Sequence, residues 1–408
     1  MSKVIIFSFS PVLDENQWKL LSYYEGISKA FLKRGHKVLN IITNNFIIDP
    51  WNGDNISISK YIAEDTLNKI HKFNPDLIIT FNNSKLENIE KNVDCPIVIC
   101  EADRWFYFSN KSEIKKNINR YHFFYFTKNG KTDFIKHFGA NKNKIFYLEN
   151  ATSLKNKKIK KTTTINFIGT LYDTEYSQKK IEINNAKFRF DILNKLKKFK
   201  PDIYTNNISS MYKSLKEFIN IKKVYNTFDT EKIYNQSFMS LNISNFQSKN
   251  VGFSWRLLDI MATNSLLISE KNPEIEKRFS DLSKRQFYET PHDCYKNIQF
   301  FLNNKSSIPE LISLQNEYIK ENYTWEDRIK KIEEIFSLKV DTTKKNRITP
   351  YIKILNRSKI IKFDYYVSFI VFITKFLKKK LITNFKHNYR EFRLIKKIIK
   401  KIKFALTY

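Results

Sequence analysis

The sequence predicts an α/β protein made of two doubly wound parallel-sheet domains facing a cleft, followed by a basic helical extension. Three observations predict it. Short β-branched and aromatic runs alternate with longer amphipathic ones over roughly the first 340 of 408 residues, as in successive βαβ units. The short runs are nearly continuous in apolar residues, which suits strands covered on both faces rather than strands with one wet side. The alternation is interrupted by the polar, basic stretch "ENATSLKNKKIKKTTT" (149–164) and stops again at "TTKKNRIT". These breaks divide the chain into a first domain at 1–150, a linker at 151–163, a second domain at 164–343 and a basic tail at 344–408.

In order, "KVIIFSFS" reads as a strand, "NQWKLLSYYEGISKAFLKRG" as a helix ending near Gly35, and "HKVLNIIT" as a second strand; together they form one βαβ unit. "PDLIITFN", "PIVICEAD" and "YHFFYFT" are further strands of this Rossmann-like domain. Past the linker the pattern restarts with the strand "INFIGTLY", the helix "FRFDILNKLKKF", the strand "PDIYTN", the helix "DTEKIYNQS" and the strand "MSLNIS". A helix beginning near Trp255 and the strand "LLIS" complete the second series. No repeat of 20–50 residues is present, so the two halves are alike in type and not in sequence.

Hydrophobic residues make up 42% of the chain and aromatics 15%, which excludes a disordered protein. The net charge is +31. Residues 344–408 hold nineteen Lys and Arg against Asp364 and Glu391, so +17 of the excess lies in the last sixth of the chain and points to an anionic partner there. Three cysteines, Cys95, Cys100 and Cys294, form neither a disulfide framework nor a metal pair, and favour a reducing, cytoplasmic compartment. The six histidines lack metal-ligand spacing, so no metal and no cofactor is expected.

The stretch "NISNFQSKNVGFSWRLLDIM" reads as strand, polar loop, Gly252 and helix. In an open parallel sheet, ligands bind past the carboxyl ends of the strands, where loops lead into helix N-termini. Gly252 would let a diphosphate approach the backbone, Ser254 could cap the helix, Arg256 could neutralise phosphate, and Asp259 could accept from ribose hydroxyls. The plainer reading is an amphipathic helix with Arg256 and Asp259 as a surface pair.

"GFSWRLLDIMATNSLLISEKNPEIEKRF" resembles the donor-site segment of GT-B glycosyltransferases, in particular the group related to spore-maturation glycosyltransferases. "INFIGTLYD", with Gly169, resembles the strand and phosphate-facing loop that open the donor domain of that group. "YEGISKAFLKRGHKVLNI" and "YFTKNGKTDFIKHFGANKNKIFYLENAT" resemble the opening and closing passages of its acceptor domain. The resemblance implies a metal-independent transfer from a nucleotide-sugar, with Gly169, Gly252, Phe253, Ser254, Arg256 and Asp259 binding the donor, and Lys179 and Lys180 as weaker cations. Two departures stand: "ATNS" (262–265) lacks the usual glycine, and Val251 occupies the place of the first glutamate of the retaining pair. An inverting reaction needs a base on the acceptor side. Asp14, after the first strand, and Asp103, after "PIVICEA", are the candidates, each equally suited to be a cap or loop acid.

In the tail, Leu394, Ile395, Ile398, Ile399 and Ile402 form an apolar stripe beside Lys396, Lys397, Lys400, Lys401 and Lys403. Such a helix would lie on an anionic membrane surface, giving a protein held peripherally at the inner face of the cell membrane with a glycan or glycolipid acceptor. A helix packed across both domains would bury the same stripe. A basic nucleic-acid-binding protein and a catalytically silent scaffold are the alternatives of other classes; no nucleic-acid-binding signature is present, and none is expected to bind.

Overall fold

A computed structural model of the protein describes residues 1–8, 22–42, 60–86, 88–101, 108, 111–169, 171, 180–205, 210–215, 220–222, 227–244, 252–341, 343 and 349–351. Two parallel sheets carry the fold. The first takes β1 (Lys3–Ser8), β2 (Lys37–Ile42), β3 (Leu77–Phe81), β4 (Ile97–Cys100), β5 (Tyr121–Tyr125), β6 (Ile145–Tyr147) and β13 (Thr349–Tyr351), in the order β13-β2-β1-β3-β4-β5-β6. The second takes β7 (Thr163–Ile168), β8 (Asp202–Tyr204), β9 (Asn220–Lys222), β10 (Ser237–Asn242), β11 (Leu266–Glu270) and β12 (Phe287–Tyr288), in the order β12-β11-β10-β7-β8-β9.

The predicted strands are present because their apolar runs are covered on both faces: β3, β4 and β11 are buried along their whole length. The first sheet is flanked by α1 (Ser22–Lys33), α2 (Lys60–Phe73), α3 (Lys111–Lys116) and α4 (Gly130–Phe138), the last closed by Gly139 in the left-handed region. The second is flanked by α5 (Lys180–Leu196), α6 (Thr227–Asn235), α7 (Trp255–Met261), α8 (Pro273–Arg278), α9 (Pro291–Asn303) and α10 (Ile308–Asn322). Asn272 caps α8, and a Thr290–Asp293 capping box opens α9, each followed by proline at the first helical turn.

The domain boundaries differ from those read in the sequence. A last helix, α11 (Trp325–Phe336), leaves the second domain and packs Trp325, Ile329 and Ile332 against Val4, Ile6, Ile27 and Phe31 of the first. Glu333 fixes it there, accepting from Arg34 Nε at 2.6 Å and Nη2 at 2.5 Å and pairing with the buried His36 Nε2 at 2.8 Å. Burial raises the Glu333 carboxyl, but these partners outweigh it and hold it below the ordinary range. β13, read as part of the basic tail, instead pairs with β2 as the edge of the first sheet. The first domain therefore contains 1–150 together with 324–351, and the stripe at 394–403 lies outside the described residues.

Two stretches cross between the domains, and they touch. Thr152 forms a parallel bridge with Thr324, and its N–H donates to Tyr323 O at 3.1 Å.

Candidate functional site

The second sheet has one place where its strand order reverses. β7 and β10 are neighbours in register, yet β8 and β9 continue on one side and β11 and β12 on the other. The chain therefore leaves β7 and β10 toward opposite sides of the sheet, the topology at which such sheets usually open a crevice for ligands. Both donor segments read from the sequence fall there: Gly169 directly follows β7, and Gly252 to Asp259 follows β10. Gly169 donates its N–H to Tyr204 O at 3.0 Å, and a Cβ on it would stand 2.6 Å from Phe167 Cζ, so only glycine lets the chain pass over that ring. The Arg256 guanidinium lies 5.9 Å from the same ring, joining the two segments across the crevice.

The 252–254 backbone is held at both carbonyls. Asn272 Nδ2 donates to Gly252 O at 3.3 Å while its Oδ1 caps α8, and Asn150 Nδ2 on the first crossing donates to Phe253 O at 3.0 Å. Phe253 is buried edge-on against Phe279 and Tyr323. Ser254 sits at the N-cap position of α7, but its hydroxyl does not cap; it reaches Asn242 Oδ1 at 3.5 Å. Asp259 is 5% exposed and accepts from Thr152 Oγ1 at 2.6 Å. Burial pushes its carboxyl up to about 7, against the Thr152 hydrogen bond and the charge of Arg256. Where the sequence offered this carboxylate to ribose, the structure gives it a protein partner inside the joint between the domains.

The first domain meets this segment directly. A Cβ on Gly252 would stand 3.8 Å from Thr127 Cα and 3.9 Å from Phe126 O, and Trp255 lies 5.0 Å from the ring of Tyr23 on α1. Under Thr127 is Glu101, the residue that follows β4. It is 3% exposed and accepts from Phe126 N at 3.1 Å, Thr127 N at 3.2 Å and Thr127 Oγ1 at 2.8 Å. Burial lifts its carboxyl to about 6 despite those donors. Asp14 and Asp103, the candidate bases, lie outside the described residues, as does Lys179.

Sequence reasoning missed Glu101, Asn150, Thr152 and Asn272. Glu101 had a signal, being the first charged residue after the buried run "PIVIC" and two positions before Asp103. Asn272 had one too, in the "NP" that opens a helix. Asn150 and Thr152 had none, because their partners are more than a hundred residues away. Among the described residues no group of three His, Cys, Asp or Glu is placed to hold a metal ion, and no described helix is long and apolar enough to cross a membrane.

Two parallel-sheet domains with the second domain's switch point opposed to the first domain's strand ends are the GT-B arrangement. The chain has the fold of GT-B glycosyltransferases, and residues 189–334, from α5 to the returning α11, match the family model described as glycosyl transferase-like. Among solved structures it is similar to a glycosyltransferase from Rickettsia africae, at 11% identity over 82% of this chain and 98% of that one, with a TM-score of 0.55. It is also similar to T4 phage BGT in complex with UDP and Mn2+, at 12% identity over 83% of this chain and 100% of that one, TM-score 0.54. The Anabaena protein HepE in complex with UDP-glucose shares 9% identity over 83% of this chain and 100% of its own, TM-score 0.54. No curated protein matches the sequence.

Proposed function

We propose that the protein transfers a sugar from a nucleotide-sugar bound at the β7/β10 crevice to a lipid-linked or envelope glycan acceptor presented to the first domain. The observation that carries the reading is that Gly169 and the Gly252–Arg256 segment follow the two strands at the strand-order reversal of the second sheet, with Arg256 near the Phe167 ring and Gly252 facing Thr127. Arg256 would neutralise the departing diphosphate, the backbone from Gly252 to Ser254 would lie against it, and Phe253 would anchor that backbone from behind. Asp103 or Asp14 would take the acceptor proton, and no metal would be required. UDP and UDP-glucose, bound by T4 phage BGT and HepE, are the first donors to try. Residues 344–408, with their lysine surplus, would hold the protein peripherally at the inner, cytoplasmic face of the membrane.

The test is a thermal-shift titration of the full chain with nucleoside diphosphates and sugar nucleotides, with and without EDTA, repeated on Arg256→Ala. Ligand at a hundred times its dissociation constant stabilises by about 2.7 kcal/mol. A shift with one nucleotide family that persists in EDTA and vanishes in Arg256→Ala is expected. A folded wild type that responds to none of them refutes the donor site.

A further inference from the structure

Thr152 stands where three chain segments meet. Its hydroxyl donates to Asp259 Oδ1 at 2.6 Å and accepts from Leu154 N at 3.1 Å; its N–H donates to Tyr323 O at 3.1 Å, and it bridges Thr324. The first and second partners of this residue therefore belong to α7 and to the first crossing, the third and fourth to the return crossing. Two residues back, Asn150 Nδ2 holds Phe253 O, and Arg328 at the start of α11 reaches Glu149 O at 3.1 Å and Asn150 O at 3.4 Å. Gly26 of α1 packs on the next residue, Ser153, and on Trp325. The donor segment is thus tied to the first crossing by the Asp259 side chain and the Phe253 carbonyl, and meets the return crossing through the packing of Phe253 on Tyr323. The side chain of Asp259 is the only described one of α7 with a hydrogen bond to these crossings, and it leaves the helix one turn after Arg256.

We propose that Thr152 is a positioning residue that couples donor binding to domain orientation: its hydroxyl, through Asp259, sets α7 and hence Arg256 relative to the first domain. The proposal rests on the donor reading of the Gly252–Arg256 segment. A ligand that draws Arg256 toward it displaces α7, and the Thr152–Asp259 hydrogen bond carries that displacement into the crossings, which change the approach of the first domain. A buried hydroxyl-to-carboxylate bond is short and charge-assisted, and an apolar isostere at Thr152 leaves the carboxylate without its donor, so the coupling is lost while the fold keeps its shape.

The experiment is hydrogen exchange on the full chain with and without UDP, on wild type, Thr152→Val, Thr152→Ser and Arg256→Ala, alongside UDP titration and the steady-state rate of UDP release from UDP-glucose. In wild type, UDP slows exchange both at 252–259 and at the crossings, 150–154 and 323–328. In Thr152→Val, UDP still binds within about threefold and protects 252–259, but protection at the crossings disappears and kcat falls about tenfold with little change in KM, the size expected for one charge-assisted hydrogen bond. Thr152→Ser restores both. Crossing protection that survives in Thr152→Val, or a serine variant that behaves like valine, overturns the proposal. Absence of UDP binding in wild type removes the donor reading beneath it; UDP binding lost in Arg256→Ala but uncoupled from the crossings in wild type leaves that reading standing and sinks only the coupling.

Discussion

Gly26→Ala tests how tightly the returning helix is seated. Gly26 lies inside α1, where alanine is the better helix former by about 0.5–1 kcal/mol, so a helix considered alone gains stability from the change. The structure reverses the sign. A Cβ at Gly26 would stand 2.6 Å from Trp325 Cδ1, 2.7 Å from Trp325 Nε1 and 2.8 Å from Ser153 Oγ. Trp325 is 2% exposed, and its ring is held edge-on by Tyr23 at 4.9 Å, so it has no free direction in which to move. Overpacking of this kind costs about 1–3 kcal/mol, leaving a net loss of up to about 2.5 kcal/mol after the helical gain is subtracted. Urea unfolding of the full chain, followed by tryptophan fluorescence, reads it: at an m of about 3 kcal/mol/M the midpoint falls by up to roughly 0.8 M. A midpoint that rises would show that α1 has room for the methyl group beneath α11, and the close seating of Trp325 would be refuted.

Three further outcomes are expected. Gly252→Ala meets only ordinary contacts at 3.8 Å, so it leaves the unfolding midpoint within error yet weakens UDP binding at least tenfold if a diphosphate lies on that backbone; equal binding refutes the backbone contact. Glu333→Gln removes the carboxylate shared by Arg34 and His36 and costs about 1–3 kcal/mol, seen as faster hydrogen exchange across 325–336 with β7–β12 unaffected. Asp259 takes up a proton in the folded state at about 7, well above its ordinary value of 3.8, so between those values the folded chain holds a proton that the unfolded chain has lost. Its contribution to stability therefore falls as pH rises through that window and is level above it. Asp259→Asn, which keeps an acceptor for Thr152, should gain on wild type in urea midpoint between pH 4.5 and pH 8, and a pH-independent difference would contradict the burial that raises the group.

The longer strands of both sheets were legible because a strand buried on two faces writes its burial locally: "LIITF", "IVIC" and "LLISE" need no knowledge of their neighbours, whereas the two- and three-residue strands β6, β9 and β12 are too short to carry a pattern and were not read. The Gly252 segment was legible for the same reason, its glycine and helix start lying in one short window. α11 was placed in the second domain only by the bounds 164–343, since its apolar stripe of Trp325, Ile329 and Ile332 looks the same whichever surface covers it. β13 carries proline and follows a basic stretch of sequence, and it adds to the edge made by β2. The partner of Asp259 was not legible: its spacing from Arg256 suits a ligand, while the hydroxyl it accepts from lies 107 residues earlier.

Because α11 and β13 return to the first sheet, the second domain is an insertion within the first, and this orders their assembly during synthesis. β1 to β6 leave the ribosome first, but Val4, Ile27 and Phe31 lack their partners Trp325, Ile329 and Ile332 until the whole of the second domain has followed. The inserted domain closes its own cores from residues between Leu154 and Tyr323 and needs nothing from α11. Folding therefore runs from the inside outward, against the usual N-terminal-first order. A chain halted after Tyr323 would hold a finished inserted domain on an unfinished frame, with an apolar face open to chaperones.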